Sequence, residues 1–308
     1  MENNHSLPGF DWPKCSTHYQ NWLFSSVEKL KSVQTETYTI AAEKLKEKHP
    51  EVKIPSLDDE LWIIKYYSHQ LSRFLTTNNL KNSVKETSLT FFNRFYLKCS
   101  VIEYDPRIIM FTCITLATKL EDMWKSVYVD KLLASVQDLD ISQVFDMECI
   151  VCDALNFNLL VLHTSDSIYT IVQMLVEYLK ESLDLDDSLM GEHLKIIINI
   201  YKQAENNCIN AHESPEFLFI YTPTQIALAN IMYYIKPNLS SILSIDLFIL
   251  KKLLNDDDRF LTPLLSKLNS IIDSYEDFLK FRNDFNSQEN RDKARDILDT
   301  YLSIYELQ

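Results

Sequence analysis

Glycine is nearly absent: the 308-residue chain has two, Gly9 and Gly191, where ordinary usage of about 7% would give roughly twenty. Glycine supplies the positive-φ positions of phosphate-cradling loops, nucleophile elbows and two-residue hairpins. With two isolated glycines, no Walker loop, dinucleotide fingerprint or kinase glycine-rich loop can be written anywhere along the chain. ATP hydrolysis, phosphoryl transfer, Rossmann chemistry and an all-β fold are set aside on that ground, which leaves helices joined by turns that rely on Asn and Pro. Positive charge is also short, with Lys+Arg 30 against Asp+Glu 44 and a formal net charge of −14. A surface of that sign repels phosphate backbones and anionic lipid, so neither nucleic acid nor a membrane is an expected partner. No run of eighteen apolar residues occurs, and Glu2, His5 and Asp11 stand where a secretory signal would carry basic residues. The expectation is a soluble chain. Its six cysteines sit mostly inside apolar helical patterns, the usage of a reducing compartment.

What is present reads as helix after helix. Ser25 and Glu28 have capping-box spacing before an amphipathic run to Lys48 that His49-Pro50 ends. Helices are predicted from Asp58 to about Thr76 and from Asn82 to Lys98 by apolar residues at three- and four-residue intervals. Asp105-Pro106 is a cap with proline at the first helical position, and the following stretch, Ile108 to Leu120, is apolar on every face, the mark of a bundle's buried centre. Helices over about Val127 to Val136 and Ile141 to Leu155 follow, closing at Asn156, a residue able to take the left-handed position.

Leu159 to Asp166 reads as a linker, followed by helices over about Ser167 to Leu183 and Ser188 to Cys208. Thr222-Pro223-Thr224-Gln225 then repeats the cap-and-proline signal before Ile226 to Ile235, again apolar all round. The offset is far too long for a solenoid repeat and predicts two helical units of one design, each around a central helix. Helices over about Ser244 to Leu254 and Phe260 to Phe281 complete the second unit. A last one, about Gln288 to Tyr305, carries a stripe of Ala294, Ile297, Leu298, Tyr301, Leu302 and Tyr305 that must dock on something, in the first instance the body of the chain.

Candidate chemistry fails residue by residue. Cys149 and Cys152 have CxxC spacing, but within one helix and with no second pair, so no metal site is expected. The seven histidines never approach ligand spacing. Magnesium-binding aspartate patterns of helical prenyl-type synthases are approximated at Asp58-Asp59, Asp256-Asp257 and Asn283-Asp284, each without the closing carboxylate. Solvated caps explain these acids better. No nucleophile has a base and an orienting partner at motif spacing. The residues alone give a two-unit, all-α interaction protein without a catalytic site, metal or cofactor.

The segments Phe91-Phe92-Asn93-Arg94-Phe95-Tyr96-Leu97, Val101 to Met110 and Leu116-Ala117-Thr118-Lys119-Leu120-Glu121 resemble the second and third helices of a first cyclin box. Trp22 to Leu30 and Tyr221 to Leu228 look most like the cyclin H-type branch of that family, and the likeness extends from about Trp22 to Tyr305. It implies two consecutive five-helix cyclin boxes flanked by terminal helices, with an N-terminal segment and helix at 1–56, a first box at 57–160, a second box at 161–283 and a C-terminal helix at 284–308. It implies a non-catalytic subunit that docks beside the αC helix of a cyclin-dependent kinase, in the CDK-activating complex. That complex phosphorylates other such kinases and, within transcription factor IIH, the RNA polymerase II tail, with a third assembly factor as a further possible partner.

By residue type, Lys119 at a helix end complements the dipole and Glu148 is a solvated acid. The resemblance instead makes them the kinase-contacting pair and carries an apolar slot over to Leu116, Leu120, Cys152 and Leu159. The helix Leu61 to Tyr67 departs from the family by lacking the substrate-docking motif of cell-cycle cyclins, and no basic nuclear signal is visible, so nuclear residence is expected only by resemblance. The rivals are another transcriptional cyclin with a different kinase, a two-box general transcription factor, which would need a basic face, and a helical synthase, which would show magnesium-dependent turnover.

Overall fold

The computed structural model describes residues 16–123, 129–182, 187–239, 244–254 and 256–307. Among them the regular elements are all helical: α1 (Thr17–Trp22), α2 (Val27–Lys48), α3 (Leu57–Thr77), α4 (Asn82–Tyr96), α5 (Pro106–Leu120), α6 (Val129–Ala134) and α7 (Ile141–Ala154) come first. Then follow α8 (Thr164–Ser182), α9 (Asp187–Ala211), α10 (Pro215–Ile220), α11 (Pro223–Leu239), α12 (Ile245–Phe248), α13 (Leu261–Asp284) and α14 (Gln288–Tyr305). A π turn, Ile249–Leu253, prolongs α12, and a single 3₁₀ turn, Asp258–Phe260, leads into α13.

The starts of these helices are written locally. Ser56 and Asp59 form a reciprocal capping box, Asp105 accepts from the Arg107 N–H with Pro106 in the first turn, and Thr222 and Gln225 exchange hydrogen bonds at 3.2 and 3.3 Å ahead of α11. The cap of α2 differs from expectation: Ser26, not Ser25, accepts from the Lys29 N–H. Asp257 caps the 3₁₀ turn and pairs with Arg259, while Asp59 is occupied in its box, so these acids serve helix ends. No group of three or more His, Cys, Asp or Glu placed to hold a metal ion occurs among the described residues. Nor is any described helix long and apolar enough to cross a membrane.

Two cores result. In the first, α5 is the axis: eleven of its fifteen residues are buried. The hydroxyls of Thr112, Thr115 and Thr118 donate back to carbonyls of the preceding turn, so a helix buried on every face leaves none of these three unsatisfied. In the second core α11 holds the same place, with Ile226 to Met232 packed among α8, α9 and α13. The boxes are joined by buried charge. Glu86, on α4, accepts from the Thr164 and Ser165 N–H groups at 2.7 and 3.2 Å and thereby caps α8 from another helix. Glu213, 2% exposed, receives the Arg282 Nε–H at 2.9 and 3.0 Å and lies 3.0 Å from His69 Nδ1 on α3. Helix α10 crosses over: Leu218 and Phe219 belong to the first core although they lie between α9 and α11.

Both flanking helices dock on the first box. Leu30, Ala41, Ala42 and Leu45 of α2 are buried there, as are Ala294, Ile297, Tyr301 and Ile304 of α14. Under α14 lies Glu60, 3% exposed, accepting from Ser100 Oγ at 2.7 Å and Tyr301 OH at 3.4 Å. Burial pushes its carboxyl up from the ordinary 4.5 to about 7, against the lowering effect of these hydrogen bonds. A carboxyl that holds its proton more tightly folded than unfolded makes stability greatest below about pH 4.5, falling as pH rises to about 7 and level beyond, by at most about 3 kcal/mol. Glu60→Gln should remove that fall and leave the variant more stable than wild type at pH 8. Urea unfolding at pH 5 and pH 8 checks this, and an unchanged pH slope would refute it.

Candidate functional site

Helices α5 and α7 run side by side in the same direction: Thr112 Oγ1 donates to the Val144 carbonyl at 3.1 Å, and further along Lys119 Nζ donates to both carboxylate oxygens of Glu148, at 2.5 and 2.7 Å. Lys119 is the penultimate residue of α5, so its cation also complements the C-terminal dipole. Its side chain is 47% exposed and that of Glu148 20%. The pair therefore borders solvent, with donor and acceptor capacity left over on both partners. Lys119 Nζ also lies 5.6 Å from the centre of the Phe145 ring. Phe145 precedes Glu148 by three residues and so shares its face of α7. That spacing was available in the sequence and marks a contact that motif comparison passes over.

The four apolar residues expected between the charges do not present themselves equally. Leu116 is turned into the first core at 7% exposure, whereas Leu120, one turn on, is 43% exposed. Cys152 and Leu159 are half-buried against the same core. Burial raises the Cys152 thiol, with the charges of Cys149 and Glu148 adding to the shift and Lys119 opposing it. This places the thiol beside the ion pair as a neutral, apolar contact.

Beyond Cys152 the chain leaves α7 through two consecutive left-handed residues, Asn156 (φ 49°) and Phe157 (φ 54°). Asparagine accepts that conformation readily, but an aromatic residue there is strained by roughly 1 kcal/mol or more. Phe157 is moreover 68% exposed, and Leu160 is 65% exposed. The segment that carries them is held firmly. Arg94 Nη1 donates to the carbonyls of Asn158 and Leu160 at 3.1 and 3.4 Å, and Thr87 links Glu121 (2.6 Å) to His163 (3.0 Å). Large apolar side chains thus stand in water on a rigid base, in line with the C-terminal ends of α5 and α7. Exposed apolar side chains on a backbone held in this way are a candidate contact for a partner.

The described residues thus form two helical units, each around a largely buried central helix, with this ion pair at the edge of the first. The family model described as Cyclin, N-terminal domain, matches residues 63–160. Over 159 residues the chain is 34% identical to Cyclin mcs2 of Schizosaccharomyces pombe, covering 47% of this chain and 49% of that protein. It is 33% identical to Cyclin-H of Xenopus laevis over 156 residues, 47% of this chain and 48% of that protein. The aligned part thus spans about half the length of these curated relatives. In fold the chain is similar to one in the CAK complex of Chaetomium thermophilum bound to ATP-gamma-S. The TM-score is 0.78 at 17% identity, with 94% of this chain and 88% of that chain covered. The all-α cyclin-box architecture expected from the sequence is the one observed.

Proposed function

We propose that the chain is a non-catalytic, cyclin H-like subunit that binds and activates a cyclin-dependent kinase of the CDK-activating type. In this reading Lys119 and Glu148 are its polar contacts. Leu116 forms the floor of the apolar slot between them, with Leu120, Cys152 and Leu159 around it. The observation that carries it is the solvent-bordering Lys119–Glu148 pair set among exposed apolar side chains, with Phe157 held out in strained backbone. A partner helix that lays an apolar residue between two opposite charges, and offers them its own backbone N–H and C=O, satisfies each of these features.

The chain itself would add no group to the chemistry. It would act by favouring the kinase conformation in which the kinase's own glutamate pairs with its catalytic lysine. Favouring one state that strongly needs a preference of several kcal/mol and an interface of roughly 2,000 Å² or more. Similarity to Cyclin-H of Xenopus laevis supports this branch of the family. The same reading gives a nuclear protein with transcription factor IIH and a third assembly subunit as further partners, and other cyclin-dependent kinases and the polymerase II tail as the complex's substrates.

The test is to mix the purified chain with the catalytic subunit of the CDK-activating kinase from the same organism and follow complex formation and kinase activity. Binding with activation is the expected result. A chain that neither binds nor activates would overturn the assignment and send the search to other transcriptional kinases.

A further inference from the structure

Arginine occurs seven times, at 73, 94, 107, 259, 282, 291 and 295. Arg94 and Arg282 are committed to internal partners, and Arg259 pairs with Asp257. The other four converge. A groove of about 470 Å³ lies between α3, the N-terminal half of α5 and α14, with Tyr66, Tyr67, Met110 and Phe111 among its apolar lining. Arg107, Arg291 and Arg295 border it, and Arg73 reaches its edge by donating to Gln70 Oε1 at 3.5 Å. Against three lining guanidinium groups there is one lining carboxylate, Asp299, so the groove carries 3 − 1 = +2 on a chain of net −14.

Among the described residues this charge is only partly answered: Asp105 acts on Arg107 through its charge. Arg107 donates to the Gln137 carbonyl and Arg291 to the Asn286 carbonyl, both uncharged acceptors. Among the described residues only Arg295 of the four lies within 4 Å of a carboxylate, that of Asp292. At 3.5 Å, with side chains 70% and 50% exposed, that pair is a weak surface contact. Arg291 and Arg295 are moreover i, i+4 on α14, an arrangement that costs stability unless an anion bridges them. Leu302, 49% exposed on the same helix, lines the groove as well and would accept an apolar neighbour of such an anion.

Planar guanidinium forks match the oxygens of a phosphate monoester bidentately, and its charge of about −1.5 to −2 at neutral pH answers the local excess better than one carboxylate does. We propose that this groove docks a peptide segment phosphorylated on serine or threonine. The phosphate would be held by Arg291, Arg295 and Arg107, and the neighbouring apolar side chain laid against Tyr66 and Leu302. Arg107 and Lys119 are twelve residues apart on α5, about 18 Å along its axis. The groove is therefore separate from the candidate kinase contact and does not depend on it.

The probe is a fluorescein-labelled nonapeptide with a central phosphoserine, leucine next to it and alanine elsewhere, followed by fluorescence anisotropy with the full chain. The expected result is binding at least tenfold tighter than that of the same peptide with serine. That binding should fall at least tenfold in the Arg291→Glu/Arg295→Glu double variant and stay unchanged in Arg259→Glu, which lies outside the groove. Equal binding of the two peptides, an unaffected double variant, or an equal loss in Arg259→Glu would each overturn the proposal. Should the double variant lose its helical circular dichroism, Arg73→Glu and Arg107→Gln on two other helices provide the same comparison.

Discussion

Replacing Arg94 by alanine should destabilise the chain by about 2–5 kcal/mol, because a large buried side chain leaves a cavity and two linker carbonyls lose their donor. The guanidinium is fully buried and donates in two directions. Its Nη1 reaches the Asn158 and Leu160 carbonyls of the inter-box linker, and its Nη2 lies 3.2 Å from Nδ1 of His18 on α1. Its flat face lies 4.9 Å above the Trp22 ring. One side chain therefore fastens the N-terminal helix, the centre of the first box and the linker together. Burial first, and then the Arg94 charge, lower His18 to about 4, so this histidine stays neutral and accepts. Arg94→Lys should recover only part of the loss, because an ammonium cannot span both carbonyls and stack on the indole. Urea unfolding of the three proteins decides it: a loss under about 1 kcal/mol for the alanine variant would mean that the linker holds its course without this clamp.

Lys119→Ala and Glu148→Ala should each weaken kinase binding by about 2–5 kcal/mol, roughly thirtyfold to several thousandfold. They should cost the free chain no more than about 1 kcal/mol, since the pair is solvent-bordered. That contrast separates a contact residue from a structural one. The charge-swapped Lys119→Glu/Glu148→Lys variant is the sharper comparison. It can restore an ion pair between α5 and α7 while presenting each partner backbone group with the wrong charge. Retained binding in the swapped variant, read by titration calorimetry, would show the pair to be a strut between two helices and remove it from the interface.

Local signals carried much of the architecture. The Asp105-Pro106 and Thr222-Pro223 caps, the all-round apolar runs behind them and the stripe on α14 identify the two central helices and the docked C-terminal one, because each depends on neighbours within a few residues. Where distant residues set the outcome, the sequence was silent or misplaced it. Helix α8 begins at Thr164, three residues before the expected Ser167, since its first N–H groups are capped by Glu86, far away on α4. Short helices α1 and α10 have too few turns for a periodic pattern. They exist because Trp22, Leu218 and Phe219 have a core to enter. Lys119 and Glu148 were singled out only through resemblance. Phe145 and the left-handed Phe157 were not singled out, although both lie within nine residues of Glu148.

The crossing of α10 into the first core bears on what happens if the backbone is severed. Leu218 and Phe219 sit among first-box side chains, the Phe24 N–H donates to the Phe219 carbonyl at 2.6 Å, and Lys65 pairs with Glu216 at 3.0 Å. A protease that nicks the linker near its exposed Leu160 or Leu162 would therefore cut a covalent connection without freeing either fragment. The two pieces would co-migrate as one particle until denaturant parted them. Neither half, made alone, would be expected to stay in solution, because each would present to water the surface that the other covers.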